Sequence, residues 1–163
     1  MEDWTAAEEP LVALQLQRTP RGVIGVARRC GCGLPCVVAT APQLADGTPF
    51  PTLYYLTCPR LSAALSTLEA QGFMREQAER LAEDAEVAGS YRRAHDRYLQ
   101  ERAAVAEVPE IAGVSAGGMP ERVKCLHALV GQSLASGPGV NPVGDAALAE
   151  VGPWWEAGPC VHP

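Results

Sequence analysis

The sequence lacks a basic field, a long apolar run and the common catalytic fingerprints, and each gap closes a class of function. Thirteen Lys and Arg stand against nineteen Asp and Glu, a formal charge of −6. Broad recognition of nucleic acid, whose phosphates demand clustered cations, is therefore not expected. No stretch approaches the roughly 20 apolar residues that a membrane-spanning helix needs, so no membrane insertion is expected. MEDWTAAEEP is acidic where a secretion signal would be basic and then apolar, which predicts a cytoplasmic protein. No G-x-S-x-G elbow, H-E-x-x-H helix or dinucleotide G-x-G-x-x-G follows a strand, GVSAG at 113–117 lying in a loop, and no G-x4-G-K-[ST] loop occurs. Standard hydrolase and nucleotide-binding readings are unsupported. Internal repeats and low-complexity blocks are lacking as well.

What is present suits one core. A chain of 163 residues, 47% of them hydrophobic, is long enough for one sizeable interior and short for two. A single globular domain is expected over residues 1–152, with an irregular C-terminal tail over 153–163. Six cysteines in a reducing cytosol argue against structural disulfides and leave buried thiols, metal ligands or reactive groups.

The pattern along the chain is mixed. AEEPLVALQLQ carries Pro10 in the first turn of a short helix, although the alternation of Val12, Leu14 and Leu16 also allows a strand. RGVIGVARRC and CVVATAP, split by GCGLP, predict a hairpin, and TLYYLT a third strand after the turn at Asp46-Gly47. RLSAALSTLEAQG reads as a helix with Leu61, Leu65 and Leu68 on one stripe. Residues 74–106 read as helical throughout, with no break at Gly89; EVPEIAGVSAGG is a loop, and Pro120 is expected to open the next helix, closed by Ser136-Gly137-Pro138-Gly139. GDAALAEV adds a short last helix. The expected class is α+β: a mostly helical single domain with a small antiparallel sheet of a hairpin plus one further strand.

Chemistry centres on sulfur and imidazole. Cys125 and His127 stand two apart in RVKCLH, and successive helical residues turn by about 100°. From a regular helix they point away from each other; both reach one site only if the helix is distorted or begins later. The alternative is a core thiol and a core histidine. Cys58 lies between a strand and a helix start, where free amides and the helix dipole favour the thiolate; its alternative is a half-buried cap. Cys30, Cys32 and Cys36 follow C-x-C-x3-C rather than the C-x2-C zinc knuckle; Cys30 and Cys36 can approach across the hairpin while Cys32 occupies its tip. Arg122 and Lys124 suit recognition of a phosphate or carboxylate, or a merely solvated basic face. His95 reads as a surface residue. Cys160 and His162 repeat C-x-H in a tail of a kind that is usually mobile. Trp154 and Trp155 suit a cap on the core or contact with a partner.

Three stretches, RGVIGVARRC, TAPQLADGTPFPTLYYLTCPRL and GGMPERVKCLHALVGQSLASGPGVNPVGDAAL, resemble a family of uncharacterised proteins of high-GC actinobacteria known only as a domain of unknown function. The likeness spans about residues 7–150, and DGTPFPTLYYLTCP and RVKCLH carry it most specifically. The resemblance implies a cytoplasmic housekeeping setting, its members often being encoded beside enolase, an exopolyphosphatase and a small septum-formation-initiator protein. It supplies no established activity. It implies that Cys30, Cys58, Cys125 and His127 fall in recurrent motifs and that His also occurs at the place of Cys58, which suits a zinc ligand better than a nucleophile. Cys32, Cys36 and Cys160 stand outside that pattern.

The sequence reading is thus a cytoplasmic, zinc-stabilised binding or adaptor module with Cys30, Cys58, Cys125 and His127 as metal ligands. The alternative is a thiol- or metal-dependent enzyme with Cys58 as nucleophile, His127 as base and Arg122 and Lys124 holding a small anionic substrate. A metal-free structural partner of cell-division or phosphate-metabolism proteins is the third.

Overall fold

A computed structural model describes residues 1–162. Strand β1 (Glu2–Asp3) precedes helix α1 (Glu8–Leu16), which opens with Glu8, Glu9 and Pro10, a first turn matched to the dipole and to the missing proline amide. The helical alternative for this segment therefore holds. The hairpin follows as β2 (Val23–Arg29) and β3 (Pro35–Thr40), closed by the Cys30 amide donating to the Leu34 carbonyl at 2.8 Å and by Gly33 at φ 87°. β4 (Tyr54–Leu56) completes an antiparallel sheet in the order β1-β2-β3-β4. The two-residue β1 is an addition that alternation in so short a stretch cannot announce. All six residues of β3 are buried, as a strand flanked on both edges and covered on both faces must be.

Five helices follow: α2 (Pro59–Ala70), α3 (Phe73–Glu83), α4 (Ala85–Val105), α5 (Leu126–Ser136) and α6 (Pro142–Val151). The stretch read as continuously helical from 74 to 106 is two helices. Asp84 takes extended dihedrals and its Oδ1 accepts the amides of Glu86 and Val87 at 3.0 and 3.1 Å, so this short carboxylate ends one helix by capping the next. Gly89 sits within α4 without breaking it. Tyr91, Ala94, Tyr98 and Arg102 form the buried stripe of α4, and the Tyr98 hydroxyl accepts the Leu53 amide at 2.6 Å, tying the approach to β4 onto the helix.

Pro120 does not open a helix. Residues 116–125 run through turns, with Gly117 and Gly118 in the left-handed region, and the helix starts at Leu126 with Cys125 as its extended N-cap. α6 begins two residues before GDAALAEV, where Asn141 accepts the Val143 and Gly144 amides at 3.2 and 3.0 Å.

α5 lies across β4 and against α6 at short range. A Cβ on Gly131 would stand 2.8 Å from the Tyr54 carbonyl oxygen, and one on Gly144 only 2.4 Å from that of Leu129. These two close approaches fix α5, and with it the Cys125 end, between sheet and last helix. The core runs through Val37, Leu53, Leu61, Leu65, Tyr91, Tyr98, Leu126, Leu129, Val130 and Val143.

Residues 153–162 form turns without helix or strand, yet they lie against the domain. Trp154 packs on the core, Trp155 covers Gly31 at the hairpin turn, and Arg60 donates to the Gly158 carbonyl at 2.7 Å. Gln15 of α1 reaches Cys160 Sγ at 3.3 Å. No helix among the described residues is long and apolar enough to cross a membrane.

A candidate metal and thiol site at the start of α5

Because α5 begins at Leu126, Cys125 precedes the helix and His127 occupies its first turn. The 100° rule that separates them in a regular helix does not apply across an extended residue, with φ −153° and ψ 107° at Cys125. The two side chains come to the same side and meet Glu69, from the last turn of α2. One ligand atom from each of Glu69, Cys125 and His127 lies within 4.8 Å of the others, and among the described residues this is the one such group of three.

The hydrogen bonds define its chemistry. His127 Nε2 lies 3.1 Å from the Ser62 carbonyl and 3.4 Å from Ser66 Oγ. A carbonyl only accepts, so Nε2 carries a proton there, and Nδ1 faces the Glu69 carboxylate at 3.3 Å. A bare nitrogen lone pair directed at a carboxylate beside a thiol is repulsive. The arrangement calls for a positive species among the three groups: a proton on Nδ1 or a metal ion. The Cys125 thiol next to His127 raises the imidazole to about 9, with the Glu69 carboxylate adding to the effect and burial opposing it. Reciprocally, the hydrogen bond with His127 holds the Cys125 thiol below its ordinary value, helped by the Ala128 amide.

Glu69 is the residue that sequence reading misses. At the C-terminal end of its own helix a carboxylate faces the negative end of the dipole, whereas its Oε1 accepts the Leu126 amide of α5 at 2.8 Å, at that helix's positive end. The misplaced charge in STLEAQG is the signal that could have found it.

A cleft of about 580 Å³ opens beside the group. Leu16 and Gln17 form one wall, Tyr54 and Tyr55 another, and Ser62 and Ser66 a third that ends on Cys125 and His127.

The other expected site residues lie elsewhere. Cys30 and Cys58 are not in the three-residue group; both are buried among core side chains, so the four-ligand set of Cys30, Cys58, Cys125 and His127 is not assembled. Cys58 does cap α2, and the Arg60 and Leu61 amides do pull its thiol down, but burial outweighs them and leaves it at about 11. Burial raises the thiols of Cys30 and Cys36 too. Arg122 and Lys124 are exposed on the turn before α5 and do not line the cleft. His95 is partly buried rather than on the surface, its Nδ1 2.8 Å from Ser115 Oγ.

Comparison with known proteins adds a family and nothing closer. A family described as protein of unknown function, DUF501, matches residues 26–149, most of the chain. The chain belongs to DUF501. The matched region holds most of the hairpin and all three residues of the Glu69–Cys125–His127 group, whereas α1 and the tail fall outside it. No curated protein and no solved structure matches the chain.

Proposed function

We propose that this protein is a metal-dependent binding module that holds a zinc-class divalent ion between Glu69, Cys125 and His127 and presents it to the adjacent cleft. The observation that carries the reading is the convergence of one oxygen, one sulfur and one nitrogen donor, with the histidine's other nitrogen tied to the Ser62 carbonyl. Carbonyl-oriented histidine is the arrangement that fixes ring and tautomer in metal sites, and a mixed S, N, O set suits zinc. Three protein ligands leave a position for water or a bound molecule, which favours an open site over the closed staple that four protein ligands would make. Elemental analysis of protein purified without a metal-affinity step tests this: near-stoichiometric zinc is expected, and failure to retain zinc after loading and desalting overturns it.

A second reading takes the same residues without metal, as a thiol-dependent enzyme with Cys125 as nucleophile, His127 as its proton partner and Glu69 orienting the ring. Placement of Cys125 at a helix start beside a cleft favours it. Selective alkylation of Cys125 in metal-free protein, abolishing a turnover, is its test. Six unpaired thiols support a cytoplasmic setting for either reading. A partner among cell-division or phosphate-metabolism proteins, which the actinobacterial resemblance implies, is tested by pull-down from cells.

A further inference from the structure

A second cavity of about 200 Å³ lies on the other side of Leu16 and Tyr55, which also line the cleft at Cys125. Its floor is the outer face of the sheet, from Val23 of β2 and Val38 of β3, and Phe50 and Leu44 close it from the loop that follows β3. Over this apolar base stand two guanidinium groups, Arg18 and Arg21, and among the described residues no carboxylate lines the cavity. On a chain of net charge −6 that local imbalance is a feature to be accounted for.

Arg18 is held rather than free to sweep. Its Nη2 donates to the Tyr55 hydroxyl at 2.7 Å and its guanidinium carbon lies 5.7 Å from the centre of the Tyr55 ring. Among the described residues no carboxylate pairs with it, so its remaining N–H groups are available in a fixed fork. Gln17, at φ 55°, ends α1 in the left-handed region, with its own amide and that of Arg18 donating to the Ala13 carbonyl, and this sets the direction in which Arg18 leaves the helix. That conformation costs about 1–2 kcal/mol for a residue with a side chain and is ordinarily given to glycine at a helix end. Arg21 is paired only with Asp46, at 3.3 Å, and both side chains are more than half exposed, a pair weak enough for an incoming anion to displace.

We propose that the cavity beneath Arg18 and Arg21 binds a small molecule carrying one phosphate or carboxylate on a flat apolar body. The guanidinium of Arg18, backed by Tyr55, grips the anionic head in bidentate fashion; Arg21 adds the second charge after leaving Asp46, and Phe50, Leu44 and Val38 receive the body. At about 200 Å³ the space is smaller than drug-sized pockets, which limits the body to about a single ring. The site does not require the proposed metal, although the two cavities share Leu16 and Tyr55 as a wall.

The test is an amide-resolved NMR titration of the full chain with phenyl phosphate, benzoate, inorganic phosphate and phenol, each with and without a metal chelator. Phenyl phosphate or benzoate is expected to saturate, shifting the amides of Arg18, Arg21, Leu44 and Tyr55, and whichever binds more tightly identifies the head group. Inorganic phosphate should bind more weakly for want of the body, and phenol for want of the charge. The Arg18→Gln/Arg21→Gln variant should lose about tenfold or more in affinity, Arg18→Lys should fall between, and Arg122→Gln/Lys124→Gln should bind as the parent does. The proposal is overturned if neither phenyl phosphate nor benzoate saturates, if phenol binds as well as the anions, if the shifts lie elsewhere, or if the double variant binds like the parent. Chelator leaves these outcomes unchanged, whereas it strips the zinc that the elemental analysis reads, so the two fail separately.

Discussion

His127 Nδ1 lies 3.3 Å from Glu69 Oε1, the same oxygen that takes the Leu126 amide at 2.8 Å. One carboxylate thus anchors the first turn of α5 and faces its histidine, which couples the integrity of the helix start to the chemistry of the site.

Exchanging that carboxylate for an amide separates the two roles. Glu69→Gln retains an oxygen for the Leu126 amide and removes the anionic ligand. Zinc affinity, measured by competition with a chromophoric chelator, is expected to fall at least about tenfold. The metal-free protein should lose about 1–2 kcal/mol, because the amide keeps a neutral bond to Leu126 but gives up the charge that faces His127 at this partly exposed position. Unchanged zinc affinity excludes Glu69 as a ligand.

In metal-free protein Cys125 should be the first of the six thiols to react with limiting iodoacetamide near pH 7, because its thiol is lowered while those of Cys30, Cys36 and Cys58 are raised by burial. Peptide mass spectrometry reads the order. His127→Asn should slow modification of Cys125, and added zinc should protect it. Earlier labelling of Cys32 or Cys160 counts against the assignment.

Gly144→Ala puts a methyl group 2.4 Å from the Leu129 carbonyl and from Ser133 Oγ, between two packed helices. Backbone cannot yield there as a flexible side chain would. A loss of about 2 kcal/mol in denaturant unfolding is expected. The same substitution at Gly33, where nothing lies within 4 Å, meets no such contact and costs only the left-handed backbone at φ 87°.

Glu8 supplies a pH signature. Hydrogen bonds from the Thr5 hydroxyl, and next from Arg29 at 2.7 Å, hold its carboxyl at about 2. A folded pKa below the unfolded value of 4.5 means a contribution fully present above that value and lost as pH falls through about 2. The stability gap between parent and Glu8→Gln should therefore be constant from about pH 7 to 5 and close towards pH 2. A gap that does not depend on pH in that window rejects the pairing.

The hairpin, the third strand and most helices were legible because turn chemistry and apolar stripes are local: GCGLP and Asp46-Gly47 are readable as they stand. The start of α5 was not. Pro120 is an acceptable first helical residue, and only the glycine turns at 117 and 118 packed against Arg122 and Leu129 decide for Leu126. That six-residue difference is what turns Cys125 and His127 from opposed to convergent. The condition was readable in the sequence, its outcome was not. Cys58 shows the converse: its favourable amides were visible, but the burial that outweighs them belongs to the assembled core. Glu69 lies more than fifty residues from its partners, with only an awkward position in its own helix to betray it.

The last ten described residues have no regular structure, yet Trp155 shelters the hairpin turn and the Gly158 and Cys160 region is fastened to α2 and α1. A chain trimmed at Val151, where the final helix stops, would bare an indole seat and several sulfurs that are now sheltered. Recombinant work that shortens the protein there invites oxidative cross-linking and self-association, symptoms easily mistaken for a natural oligomer.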